Sequence, residues 1–442
     1  MAFDLQHYQA KVDELDCMAY EGQIERVSGS IIEARGPAVA VGQLCELIPR
    51  KGRSERAVRA EVIGFRGATT ILMPLEKLNG VQAGDRVVSI GAHLETGLSM
   101  KLLGRVLDGL GHPIDKGGEI PCPDSAPIHK DAPHPLHRRG ITQPLFTGIR
   151  AIDLLLTLGK GQRVGIFAGS GVGKSTLLGE IASSSEADAN VIALTGERGR
   201  EVNQFIEENL GRDGLRRSVV VVATADAPPL LKVKAAYTAT TIAEYLRDRG
   251  LHVLFMMDSL TRVANAQREI GLAAGEPPTT RGYPPSVFSL IPSLTERLGN
   301  SENGSITGIY AVLVERDDFT EPIADAVRAS LDGHVVLSRQ LADRGQYPSI
   351  DVLGSVSRSL RNVRDEQHLE MIRAFKDILS THREAEDLIR IGAYTKGTSP
   401  EIDQAIELMP EARELLSQRI GERQSFPLAL QRMKAITDRW SF

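Results

Sequence analysis

The chain lacks the features that mark several large protein classes. It has three cysteines, Cys17, Cys45 and Cys122, an odd and scattered set with no C-x-x-C spacing, so a disulfide framework, a cysteine metal cage and a redox pair are disfavoured and reduced thiols in a cytosol are expected. There is no excess of positive charge: Lys plus Arg is 52, Asp plus Glu is 57, and the net charge is -5. The phosphate-neutralising surplus of a nucleic-acid binder is therefore missing, leaving room only for a local basic patch. The longest apolar runs, such as VVVVA at Val219 to Ala223, fall far short of the roughly 20 residues that span a bilayer. The N-terminus MAFDLQHYQAKVDELD carries acids and no apolar segment, so a signal peptide is not expected. What is present is an ordinary globular composition, 42% hydrophobic and 25% charged over 442 residues, enough for two or three domains with a large core.

Texture divides the chain. Leu5, Tyr8, Val12 and Leu15 recur at three- and four-residue steps and predict an amphipathic helix over residues 1–21, which packs on its own domain or waits for a helical partner. Residues 22–92 turn to short alternating runs broken by glycine (QIERVSGSIIEA, RAEVIGFRG, TTILMPL), the pattern of a small β-barrel or sandwich. Phe65 is the sole aromatic of that stretch, too little for a base-stacking surface. Residues 93–142, with GRVLDGLGHPID and PCPDSAPIHKDAPHPLHRRG, read as an extended linker pressed onto the domain that follows. That domain, 93–364 with its linker, alternates helical stretches with the runs VGIFAG, NVIALTG, SVVVVATAD, HVLFMMD and ITGIYAVLVE; runs so uniformly apolar predict a parallel sheet buried on both faces, hence an α/β fold. Residues 365–442 have helical spacing only and predict a C-terminal helical domain.

Four segments carry chemistry. In GIFAGSGVGKSTLLG a buried strand passes through glycines into a helix start, in the [AG]-x-x-x-x-G-K-[ST] form of the phosphate-binding loop with alanine at 168. Gly169, Ser170, Gly171, Val172 and Gly173 would wrap backbone N–H groups around phosphate oxygens. Lys174 would neutralise the outer phosphates, Ser175 would hold magnesium, and Thr176 continues the motif. HVLFMMDSLTR delivers Asp258 to the C-terminal end of a strand, where it supports magnesium or merely caps the next helix. GERGREV puts Glu197 at the same edge, able to polarise a water for attack on the terminal phosphate; Arg198 lies near the phosphates or pairs with Glu201. QYPSIDVLGSVSRSLRNV ends with Arg358, a charge-stabilising finger if a neighbour's site is in reach, otherwise a surface arginine.

Taken together, AGSGVGKST, GERGREV, HVLFMMDSLTR, GEPPTTRGYPPSVF, DGHVVLSR, YPSIDVLGSVSR and IGAYTKG resemble the ATPases of type III protein export, a family related to the catalytic subunits of rotary ATP synthases. The resemblance runs from about Gly22 to Gly397, and FRGATTILMPLE tilts it toward the flagellar branch over the virulence injectisomes. It implies a RecA-like P-loop core between a small β-barrel and a helical domain, and a cytoplasmic homohexamer that hydrolyses ATP with Mg2+ at its subunit interfaces. It also implies peripheral association with the cytoplasmic face of the inner membrane. Carried over residue by residue, it makes Lys174 and Ser175 phosphate and magnesium ligands, Glu197 the catalytic carboxylate and Asp258 the magnesium-supporting acid. Arg198 and Arg262 match arginines near the phosphates, Arg358 the neighbour's finger and Tyr347 the aromatic stacked on adenine. The partners implied are a regulatory peripheral-stalk-like dimer on the N-terminal helix, a coiled-coil stalk protein in the ring opening, export chaperone-substrate complexes and the membrane export gate, with no nucleic acid. Readings of other classes are an RNA-translocating ring helicase, disfavoured by the aromatic-poor barrel and acidic charge, and a non-catalytic nucleotide-binding subunit, disfavoured because related subunits of that kind carry an amide where Glu197 stands.

Overall fold

A computed structural model describes residues 21–49, 56–314 and 319–442. Apart from Glu21, the helix expected over residues 1–21 lies outside the described residues. Two compact units are present, one taking in the described residues up to Glu95 with Ala227–Leu231 and Glu269–Pro277, the other the remainder.

In the first unit, strands β1 (Glu21–Ser28), β2 (Ile31–Arg35), β3 (Leu44–Ile48), β4 (Val58–Arg66), β5 (Thr69–Pro74) and β6 (Arg86–Ser89) close into a barrel in the order β1-β2-β5-β4-β3-β6. Every pairing is antiparallel, with β1 returning to β6. Period-two alternation sends Ile32, Ala34, Cys45, Leu47, Val62 and Val87 inward, and closure leaves no strand edge open to pair with another chain. Burial pushes the Cys45 thiol up to about 11, so it stays protonated and inert.

The second unit is built on a mixed sheet. Its strands β7 (Val106–Asp108), β8 (Arg163–Ala168), β9 (Ala189–Thr195), β10 (Ser218–Ala223), β11 (His252–Asp258), β12 (Ser305–Leu313), β13 (Gly333–Leu337) and β14 (Ile350–Ser357) lie in the order β14-β13-β8-β12-β11-β9-β10-β7. Every residue of β9 and β11 is buried, which is why their sequences show no alternation. Two features differ from the sequence reading. The linker supplies β7, which adds a parallel edge strand beside β10. And the sheet is not wholly parallel: β14 runs antiparallel to β13, and Gly299–Asn300 pairs antiparallel with β12. Gly299–Asn300 returns tightly into β12, which permits only antiparallel pairing, whereas the parallel pairs need helical crossovers such as α1 (Lys174–Ser184) and α2 (Pro229–Asp248).

At the C-terminal end, α3 (Glu366–Arg390), α4 (Pro400–Leu416) and α5 (Phe426–Thr437) share one core with the sheet: Phe375, Leu408, Met433 and Trp440 belong to the same buried cluster as Ile152, Leu155 and Val335. Asp365 caps α3 by accepting from the His368 N–H at 2.8 Å, and Ser399 with Pro400 opens α4, so each helix begins where local chemistry satisfies its free N–H groups.

Candidate nucleotide site

The glycine loop joins the end of β8 to α1. Gly171 (φ 79°) and Gly173 (φ 91°) occupy the left-handed region, where a β-carbon is disfavoured; at Gly173 an added Cβ would also stand 3.4 Å from Tyr347 Cε1. The loop is held from below. Ser349 Oγ donates to the Val172 carbonyl at 2.7 Å, and Arg339 donates to the Ser170 carbonyl at 3.1 Å. Ser170, Gly171 and Ser175 remain exposed, at a helix N-terminus whose first N–H groups have no partner within the helix and favour an anion.

Parallel strand register brings three chemical groups to this end of the sheet. Lys174 is ion-paired with Asp258, and its Nζ lies 3.9 Å from Glu197 Oε1. Arg262 Nε stands 3.9 Å from the same Glu197 oxygen. Asp258 closes the fully buried β11, and Glu197 stands two residues past the end of β9, so neighbouring strands deliver both carboxylates to one edge. Burial first, and the negative charge of Asp258 second, push Glu197 up to about 7, with a hydrogen bond to Glu201 acting in the same direction and Lys174 and Arg262 opposing. A carboxyl held near neutrality is suited to proton exchange at physiological pH. The Lys174 ammonium on Asp258 also shows that this carboxylate accepts a cation. Together with the exposed Ser175 hydroxyl it offers the hard oxygen donors that magnesium takes in small number when substrate phosphates and water complete its shell.

Beside the loop opens a cavity of about 890 Å³. Gly173, Thr176, Leu337 and Tyr347 line one side, and Gln418 and Ile420 line the other. Tyr347 is 47% exposed, presenting a ring face beside Gly173. The wall from 418 to 420 went unforeseen, since the C-terminal helices carry no recognisable motif there. It is tied down by long-range bonds: the Gln418 N–H donates to the Tyr347 carbonyl at 2.8 Å, and the Gly421 N–H donates to Glu180 Oε2 at 2.9 Å. Arg150, only 5% exposed, donates to the Leu415 carbonyl at 3.0 Å and to Gln424 Oε1 at 3.0 Å, and also binds the Ser417 carbonyl and Glu422. Arg339 was equally unforeseen, although it closes the DGHVVLSR motif.

Two arginines lie elsewhere. The Arg198 guanidinium is 82% exposed and turned to Glu201 at 3.9 Å, the pairing that its i,i+3 spacing favours. Arg358 is exposed just beyond β14, its N–H donating to the Asp332 carbonyl at 3.0 Å. Ser357 pairs with Gly333 at the start of β13, whereas Leu337, at the other end, pairs with Ala168 before the glycine loop. Arg358 and its own chain's loop are therefore at opposite edges of the sheet, separated by about 13 Å of strand.

Residues 148–357 match the ATP synthase alpha/beta family, nucleotide-binding domain, residues 24–91 its beta-barrel domain, and residues 364–435 the T3SS EscN ATPase C-terminal domain. The flagellum-specific ATP synthase of Bacillus subtilis is 52% identical over 413 residues, 93% of this chain and 94% of that protein. The assembled ATPase EscN from the enteropathogenic E. coli type III secretion system superposes with a TM-score of 0.89 at 44% identity, covering 94% of this chain and 100% of that one. EscN in complex with its central stalk EscO gives a TM-score of 0.86 at 43% identity, with the same coverage of 94% and 100%.

Proposed function

The chain belongs to the ATP synthase alpha/beta family, in the branch of flagellum-specific and type III secretion ATPases, and from that premise we propose how its residues hydrolyse ATP and whom it serves. It is an ATPase of type III protein export, flagellar or injectisome. The observation that carries the site assignment is the meeting of Lys174, Glu197 and Asp258 at one sheet edge beside the cavity.

ATP lies with its phosphates on residues 169–176, held by backbone N–H groups and Lys174, and its adenine in the cavity against Tyr347. Ser175, supported by Asp258, would hold Mg2+, which would supply charge neutralisation at the outer phosphates. On substrate binding Lys174 exchanges its carboxylate partners for phosphate oxygens. Glu197 orients a water and takes up its proton as the water oxygen bonds to the terminal phosphorus and the bond to the ADP oxygen breaks. Arg262, beside Glu197, stabilises negative charge at that end, and Arg198 turns from Glu201 toward the phosphates when they are present. Arg358, remote from its own loop, acts on the next protomer, so the active form is a homohexamer; its exposure at the opposite edge supports this reading.

We assign flagellar service, in keeping with the 52% identity to the Bacillus subtilis protein. The EscN–EscO complex supports a coiled-coil stalk in the ring opening. A regulatory dimer on the N-terminal segment, chaperone-substrate complexes and the export gate complete the partners, at the cytoplasmic face of the inner membrane. No described helix is long and apolar enough to cross a membrane. The test has two parts. Specific ATPase activity of the purified chain should rise with protein concentration as rings form, and a native pull-down should retrieve flagellar export components. Activity independent of concentration, or retrieval of injectisome components alone, overturns the respective part.

A further inference from the structure

Two side chains from outside the glycine loop hold its peptide planes. β13 lies between β8 and β14, and register sets Ala168, Leu337 and Ile350 in one row across the three strands. Ser349, next to Ile350, is thereby brought beside the loop that starts after Ala168, although 177 positions separate it from Val172. The Ser338 N–H donates to the Ser349 carbonyl at 2.8 Å, which closes the β13–β14 connection at its base, and Ser349 is only 1% exposed. Its hydroxyl donates to the Val172 carbonyl at 2.7 Å. From the other end of the same connection Arg339 donates to the Ser170 carbonyl at 3.1 Å. Neither side chain has a task in the hydrolysis of ATP described above.

A trans peptide is planar, with its C=O and N–H pointing in opposite directions. The Val172–Gly173 bond is trans, so a donor that fixes the Val172 carbonyl on one side turns the Gly173 N–H to the other. Gly173 is the residue that opens α1, and N–H groups at such a helix start are the ones a bound phosphate meets. The plane needs fixing from outside because Gly171 and Gly173, both left-handed, flank Val172 with the two backbone positions that resist rotation least. The two clamps differ in weight. Arg339 is exposed, so water can stand in for it, whereas the Ser349–Val172 bond is buried and a lost hydroxyl would leave the carbonyl unpaired.

We propose that Ser349 is a positioning residue for ATP: its hydroxyl holds the Val172 carbonyl so that the Gly173 N–H already faces the phosphates when they arrive, and binding does not have to order that peptide. The inference rests on the reading that the phosphates lie on residues 169–176. It places the effect on the phosphates and not on the base, although Tyr347 is only two residues away. In the experiment the full chain is titrated with a non-hydrolysable ATP analogue and with inorganic triphosphate, each with magnesium, as competitors of a fluorescent nucleotide. Ser349→Ala should weaken both by the same factor, about five- to tenfold, equivalent to about 1–1.4 kcal/mol and within the net worth of one hydrogen bond. Ser349→Thr, which keeps a hydroxyl, should recover most of the affinity, and Tyr347→Ala should weaken the ATP analogue alone. An alanine variant within about twofold of the wild type for both ligands overturns the proposal, since the hydroxyl then does no more than satisfy its own burial. A loss confined to the ATP analogue overturns it as well, because Ser349 then acts on the Tyr347 ring. So does a threonine variant with the wild-type urea midpoint that binds as poorly as the alanine variant. Lys174→Ala separates the two levels: if it leaves both affinities unchanged, the assignment of the loop falls and the proposal with it, whereas a strong Lys174 effect beside an inert Ser349 strikes the proposal alone.

Discussion

Replacing Arg150 by alanine should release the C-terminal wall of the nucleotide cavity. Its guanidinium spans the Leu415 and Ser417 carbonyls, Gln424 and Glu422, four acceptors on the segment that turns back into the cavity. The Glu422 side chain is 39% exposed, so solvent screening leaves that ion pair worth little. The two carbonyls are the larger loss. Each gives up a hydrogen bond from a charged donor, worth about 1.5 kcal/mol at the low end of its range, for a total of about 3 kcal/mol. The one Trp of the chain, Trp440, is buried in the same core, so its fluorescence during urea unfolding reports on this region. With a slope of about 3 kcal/mol per molar urea for a chain of this size, the midpoint should fall by about 1 M. Weaker nucleotide binding should accompany it, because Gln418 and Ile420 line the cavity. Arg150→Lys keeps the charge but loses the planar fork, and should fall between the two. A midpoint drop under about 0.2 M for the alanine variant, equivalent to about 0.6 kcal/mol on the same slope, would refute the reasoning: the wall would then be held by packing alone.

Glu197→Gln should retain ATP binding and slow hydrolysis at least about a hundredfold, the scale of a lost general base or water-positioning group; near-normal steady-state turnover removes Glu197 from its role. Arg358→Ala should abolish turnover while binding nucleotide normally, and mixing it with Lys174→Ala subunits should restore part of the activity. Confirmed co-assembly without any restoration would show that the arginine does not act across the interface. The stability that His252 contributes should fall on acidification from about pH 6.5 toward pH 4, against the opposite slope of the Glu197 and Asp153 carboxyls, which burial raises. His252 sits at about 4 when folded against about 6.5 when unfolded, so the unfolded chain binds a proton in that window that the folded chain refuses, and stability present above the window is lost below it, by up to about 3 kcal/mol. His334, His368 and His382, also lowered by burial, add to the same slope. The test is therefore the difference between the wild type and His252→Gln in denaturant midpoint against pH, and equal slopes would exclude the contribution.

Local chemistry was legible in the sequence, and of the long-range proximities only the sheet edge shared by Glu197 and Asp258 was. The glycine loop is a property of eight consecutive residues, Ala168 to Ser175: left-handed glycines, a lysine and a helix start specify its shape wherever it stands. Likewise the fully apolar β9 and β11 declare a sheet covered on both faces, and the alternation of β2 declares a barrel wall. The partnership of Lys174 with Asp258, 84 positions apart, follows from strand order, and strand order is set by how the crossovers pack. The same is true of the contact of Arg150 with Glu422 across 272 positions, which seats a motif-free C-terminal segment beside the nucleotide loop, and of β7, whose linker sequence shows a strand only once β10 offers it an edge. The opposite placement of Arg358 and the loop is a further case, because one antiparallel return at β14 reverses the direction in which the chain leaves the sheet. The residue types and their local conformations were thus determined by sequence alone. Tertiary structure decided which of them meet, because each meeting depends on burying surface contributed by segments that are far apart in the chain.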